Sequence, residues 1–362
     1  VALWYGKSKP HPPDEYLKDF VEEMRETLMD GVLINETQKI VKLDVFVCDA
    51  PARALVKGIV CHTGYHSCER CTIKGSRIAH RTVLLPEAGV VPRTDNFFRQ
   101  GAYMNGDHPH QLHESPLLPL GIPLVTNFPL DYMHLCCLGV MKRILQHLKG
   151  TSNGNNHGKL SKTLIQTLSC GPSGLLSCKL PSEFNRQPRC LSELEYWKAT
   201  EFRSFMMYTG MVVLKPVLSV DTYNHFLSFS IAMRVLCEED DDKRNCYLES
   251  ARELLTYFVA HAHKHYGTTF VVYNVHGLLH LADDVENHGC SLDKLSAFPF
   301  ENFYGEMKHL VRGKKNPLVQ IVKRLDERSK IRNYLQKNVQ KLDTNTNKWF
   351  VTTNGIVKVR AL

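Results

Sequence analysis

Cys68 and Cys71 are separated by two residues, and far along the chain His276 and His280 are separated by three. Two thiolates and two imidazoles make a closed tetrahedral set for zinc. Each pair lies near an acid in sequence. The cysteines follow the run LDVFVCDAPAR, which holds Asp49, and the histidines precede FPFENFYGEMK, which holds Glu301. A zinc ion bound here would staple together the two segments that carry those acids. Cys61, His62 and His66 are possible replacements for one ligand, while His108, His110 and His113 form a second cluster that reads mainly as loop.

Asp49 stands where an apolar run ends and the chain turns through Pro51. Active sites of open α/β sheets gather at the carboxyl ends of strands, but Asp also begins helices and turns. Glu301 follows Pro299 in the first turn of an expected helix, where a carboxylate also suits the helix dipole. Two carboxylates from distant segments suit Mg2+ or Mn2+, hard cations that keep waters for substrate phosphates. Phosphodiester cleavage commonly uses two such ions and then calls for a third carboxylate.

The elements that must position these groups can be read from periodicity. VALWYG is expected to form a short strand. In PDEYLKDFVEEMRETLMDG, apolar residues recur at three- and four-residue steps from Tyr16 to Leu28, and Gly31 lies just past the end, which predicts a helix. QKIVKLDVFVCD reads as a strand buried on both faces, so these three segments predict a βαβ unit. Residues 75–130 are rich in Pro, Gly and His. From Met133 onward seven segments have helical patterns, and EEDDDK (Glu238 to Lys243) reads as a solvated turn between two of them. TSNGNNHGK, around Asn153, reads as a mobile loop. The expected organisation is an α/β part with the Cys pair over 1–130, a mainly helical insertion with the His pair over 131–290, a returning acid-bearing helix and a basic helix over 291–342, and a tail over 343–362.

With 43% hydrophobic and 23% charged residues, the 362-residue chain has a globular composition. No apolar run reaches the ~20 residues that cross a bilayer, so membrane partners are not expected. The twelve Cys sit singly in apolar segments, as at Cys48, Cys136, Cys137, Cys237 and Cys246, and are expected to be mostly buried free thiols. The net charge of +8 is concentrated. Between Phe303 and Lys341 eleven Lys and Arg, among them Lys308, Arg312, Lys314, Lys315, Lys323 and Arg324, face three acids, an excess equal to that of the whole chain. Such a surface suits a polyanionic backbone. The chain opens at Val1 without an initiator Met or signal peptide and reads as a piece of a longer polypeptide.

The segments CDAPARALVKGIVCHTGYHSCERC, FPLDYMHLCCLGVMKRIL, EYWKATEFRSFMMYTG and AFPFENFYGEMKHLVRGKKNPLVQIVKRL resemble the catalytic region of eukaryotic cut-and-paste DDE transposases, nearest to the CACTA (En/Spm) type. The resemblance runs from about Val1 to Arg328 in the order of these motifs. It implies an RNase H-like fold with a large α-helical insertion and a catalytic Asp, Asp, Glu triad, in which Asp49 matches the second Asp and Glu301 the Glu. Asp131 and His134 match an Asp/Cys-x2-His signature whose His lies near the scissile phosphate. Cys68, Cys71, His276 and His280 fit a zinc arrangement similar to that of the V(D)J recombinase catalytic subunit. Trp197 falls in the insertion, where some relatives stack an aromatic on a flipped base and where core packing is the simpler expectation.

The resemblance further implies structural Zn2+, catalytic Mg2+ or Mn2+, double-stranded DNA as partner (transposon ends and target), a homodimer and a nuclear location. The family's first Asp belongs to a strand ahead of VALWYG, and Asp14, Asp19, Asp30 and Asp44 are poor replacements. The expectation is therefore a transposase core whose N-terminal strand is missing. The alternatives are a domesticated, inactive DNA- or chromatin-binding protein and a zinc hydrolase.

Overall fold

The computed structural model describes residues 3–34, 36–87, 89–151, 158–342, 348–352 and 355–359. Asn153 and most of its loop lie outside them. The chain divides into two units, His11–Phe298 and Val1–Pro10 with Pro299–Leu362. It is an α/β protein that is mostly helical, and among the described residues all strand pairing is antiparallel: the hairpins Val32–Ile34/Thr37–Lys39 and Ser76–Ile78/Arg81–Val83, and the meander Val339–Leu342, Lys348–Thr352, Gly355–Val359. No described helix is long and apolar enough to cross a membrane.

The amphipathic pattern of the first helix is realised as Pro13–Asp30, closed by Gly31 at φ 71°. Its Leu17, Phe20, Val21, Met24 and Leu28 pack with Phe98, Leu117 and Phe128. The expected βαβ unit does not form. Of VALWYG, Leu3–Gly6 is not strand, and of QKIVKLDVFVCD only Gln38 and Lys39 pair, as the end of the strand Thr37–Lys39 opposite Val32–Ile34. The run up to Asp49 is held instead by single contacts: Phe46 N–H donates to Asn127 O (2.8 Å), and Phe46 stacks on Phe128 with ring centroids 5.0 Å apart. An apolar run becomes a buried strand only where another strand supplies its ladder, and none of the described residues does so here.

The helical expectation from Met133 onward is met. The main core unites the π-helix Met133–Met141, its continuation Lys142–Lys149, and the long helices Val220–Leu236 and Asp241–Tyr266. Trp197 belongs to this core, 6% exposed, beside Phe202 and Phe205. In the acidic turn, Asp240 caps the helix Asp241–Tyr266 by accepting from Lys243 N–H. None of the twelve cysteines forms a disulfide; only Cys68, Cys71, Cys136 and Cys137 are buried, fewer than expected, while Cys48 and Cys237 are half-buried. Cys246 is exposed, because it falls on the outer side of its helix.

Two glycines fix how close the His-bearing segment comes to the core. A Cβ on Gly139 of the π-helix would lie 2.4 Å from the Asn274 side chain, and one on Gly277 would lie 2.6 Å from Leu135. Helix Tyr273–Gly277 can therefore settle on the π-helix only because both positions lack a side chain. That contact sets the depth of His276.

Candidate metal centre

Cys68, Cys71, His276 and His280 converge so that one ligand atom from each lies within 4.8 Å of all the others. Cys71 Sγ stands 3.4 Å from Cys68 Sγ and 3.2 Å from His276 Nε2, and Cys68 Sγ stands 3.5 Å from His280 Nε2. Ligand atoms placed 2.0–2.3 Å from a tetrahedral zinc stand about 3.3–3.8 Å apart. The observed separations therefore match a cage for one such ion. The two cysteines and His276 are 3–5% exposed. The Cys71 thiol is held below its ordinary value, first by its hydrogen bond to Cys68, which favours the thiolate that binds metal. Cys68 also accepts from Arg70 N–H at 3.4 Å. This buried cluster could hold a metal such as zinc, and its full set of four protein ligands suits a structural ion.

The two residues between the cysteines anchor the site in opposite directions. Glu69 is buried and takes Arg53 Nε and Lys57 Nζ on its two oxygens, both at 2.8 Å. Tyr273 Oη donates to the same carboxylate (2.7 Å) and accepts from Arg53 Nη2 (3.0 Å). Burial by itself would raise the Glu69 carboxyl, but Arg53 and Lys57 outweigh it and hold it well below the usual range. Arg70 turns the other way, to Val125 O (2.5 Å), Phe128 O (2.9 Å) and the fully buried Asp284. Sequence reasoning missed both pairs. The available signal was CERC itself: ligands this close to a metal draw the charges between them into the interior, where each needs a partner.

Asp49 is tied to this knuckle through its own helix. It is the N-cap of Ala50–Lys57, its Oδ1 accepting from Ala52 N–H at 2.7 Å. Arg53 and Lys57 on that helix hold Glu69, and Ala50 packs against the cluster of Cys68, Cys71 and Tyr273. Asp131, by contrast, is 1% exposed and surrounded by donors. Its Oδ1 accepts from Ala297 N–H (2.8 Å) and Met133 N–H (3.2 Å), and its Oδ2 from His134 N–H (3.2 Å) and His134 Nδ1 (2.5 Å). The Asp131–His134 pair thus starts the π-helix, with the imidazole 31% exposed.

Glu301 is exposed in the first turn of Phe298–Leu310 and belongs to the other unit. In that unit Lys308, Arg312, Lys314, Lys315 and Lys323 are exposed, and Arg324 pairs with Glu327 at 3.6 Å. The Gln320 side chain clamps the loop between the helices Phe298–Leu310 and Pro317–Asn338. Its Oε1 accepts from Arg312 N–H (3.0 Å) and Gly313 N–H (3.2 Å), and its Nε2 donates to Gly313 O (3.0 Å) and Lys315 O (2.6 Å). Three of the basic side chains therefore project from a fixed loop. No family model matches the chain, and no curated protein or solved structure matches it either.

Proposed function

We propose that the chain is the zinc-stapled core of a DDE-type, CACTA-like DNA transposase with an RNase H-like ancestry, acting on double-stranded DNA in the nucleus. The observation that carries this reading is the joining of the metal knuckle to the helix capped by Asp49, through Glu69, Arg53 and Lys57. A closed metal cage beside a carboxylate at a helix start is a scaffold for chemistry outside the cage. Asp49 and Glu301 are each proposed as ligands for divalent ions such as Mg2+, which when bound polarise a phosphodiester. The exposed Lys308, Arg312, Lys314, Lys315 and Lys323, together with the half-buried Arg324, are proposed to bind DNA phosphates.

A second reading, a zinc-stabilised DNA- or chromatin-binding protein without catalysis, is favoured by Asp131, whose two oxygens are already taken up by donors from the chain itself. Replacing Mg2+ by Fe2+ in the zinc-loaded protein, with ascorbate and peroxide, separates the two. An ion held by Asp49 cuts the backbone near Asp49, and Asp49→Ala removes that cut. Duplex binding without any such cuts would leave only the second reading standing, and loss of duplex binding as well would defeat both.

A further inference from the structure

A second cationic surface lies within His11–Phe298, in a cleft of about 420 Å3 lined by Arg77, His80, Arg81, Thr82, Arg143 and Tyr273 among others, with no carboxylate in its walls. One wall is the hairpin Ser76–Ile78/Arg81–Val83, whose tip residues Ala79 and His80 have φ of 46° and 63°. That tight turn projects Arg77, His80 and Arg81, while Thr82 Oγ1 donates to Thr63 O (2.6 Å) and Leu84 N–H to Val271 O (2.8 Å), anchoring the hairpin's return strand. Arg143, also in the lining, is held in a fixed pose. Its Nε and Nη2 donate to Phe270 O (3.1 Å) and Thr269 O (2.6 Å), and the guanidinium lies 5.2 Å from the Phe270 ring centroid.

Arg81 has no ion pair among the described residues, and Arg143 Nη1 has no acceptor there. Burial, and then the nearby Arg81, pull the Arg143 guanidinium down to about 10. Two like charges lining one open cleft, one of them held rigidly, repel each other until an anion enters. The cleft is larger than one phosphate group requires, and Tyr273 gives it an aromatic wall.

We propose that this cleft binds the phosphodiester backbone of a nucleic-acid strand, in addition to any contact made by the basic segment Lys308 to Arg324. The proposal rests on the DNA reading above. Because Tyr273 also hydrogen-bonds Glu69 of the knuckle, a strand in the cleft would sit against the wall that helps to hold the metal cage.

The test compares zinc-loaded wild type, R77E/R81E, K314E/K315E and the fourfold variant, using fluorescence anisotropy with a labelled duplex and a labelled single strand. Zinc content and thermal melts establish that each variant is folded, and R143K serves as a milder probe of the pinned wall. R77E/R81E is expected to weaken strand binding and to lower the log–log salt slope by about two, one phosphate contact for each arginine, additively with K314E/K315E. Unchanged binding by R77E/R81E alongside weakened binding by K314E/K315E would overturn the cleft and leave the DNA reading intact. No strand binding by any form would overturn both. Titration with inorganic phosphate or deoxyadenosine monophosphate supplies the last arm: a nucleotide that fills the cleft without displacing the strand would make it a small-molecule site and defeat the proposal.

Discussion

The Cys68–Cys71 knuckle and the Asp131–His134 turn have similar sequence signatures, two chemically capable residues at close spacing, yet the structure completes them in opposite ways. At the knuckle, four donor atoms from segments 205 residues apart face one another across a gap of ligand size. At the turn, four donors already surround one carboxylate, the farthest from a residue 166 positions away. The first arrangement offers four lone pairs to one point, and the second is saturated. Counting which lone pairs are already engaged separates a place for an ion from a joint between segments, where residue type and spacing alone do not.

Removing the metal or a ligand should produce the largest effect. One zinc per chain is expected by elemental analysis, and Cys71→Ser or a strong chelator should abolish cooperative unfolding near ambient temperature, since structural zinc contributes roughly 10 kcal/mol or more in small sites. A chain without zinc that melts like the loaded protein would reduce the cage to coincidence. Next in size is Glu69→Gln, which leaves Arg53 and Lys57 buried without their counter-ion and should cost about 3–5 kcal/mol in urea unfolding. If its cost is below that of an exposed pair, the knuckle does not depend on its ion pairs.

Asp131→Asn tests the saturated site. The amide oxygen can still accept from Ala297 and Met133, but the amide nitrogen meets the two His134 donors, so a loss of about 1–3 kcal/mol is expected. A stabilised Asn variant would mean that Asp131 is not satisfied by the chain. The smallest change is Asp49→Ala, which removes a helix cap and should cost about 0.5–2 kcal/mol. Under the transposase reading that modest cost accompanies complete loss of divalent-ion-dependent backbone cutting, whereas under the binding-protein reading the stability change is the whole effect.

These positions also show what could be read from sequence. The quartet was legible because metal ligands carry fixed spacings that survive any uncertainty about the elements around them. For Asp49 a helix start was the alternative to a strand end, and the structure takes the alternative. The run before it was misread as a strand because a strand is a relation between two segments, and an apolar run states only one side of it. Glu69 and Arg70 were hidden for a related reason: their burial follows from the cage, which must be assumed before their partners on other helices can be sought. The π-helix Met133–Met141 has no signal in its apolar composition, and its contacts to Asp131 and at Gly139 become visible only in three dimensions.

Because the cage draws its ligands from both sides of a 205-residue separation, neither half can capture the ion tightly alone. During synthesis at 5–20 residues per second, the cysteines wait about 10–40 s after leaving the ribosome before the histidines follow. For that interval they are an unprotected vicinal dithiol, able to be oxidised or to pick up a softer metal. If the cage holds zinc, incorporation would be a late checkpoint, and the fraction of chains carrying the ion would report how many completed their tertiary structure before the thiols were lost.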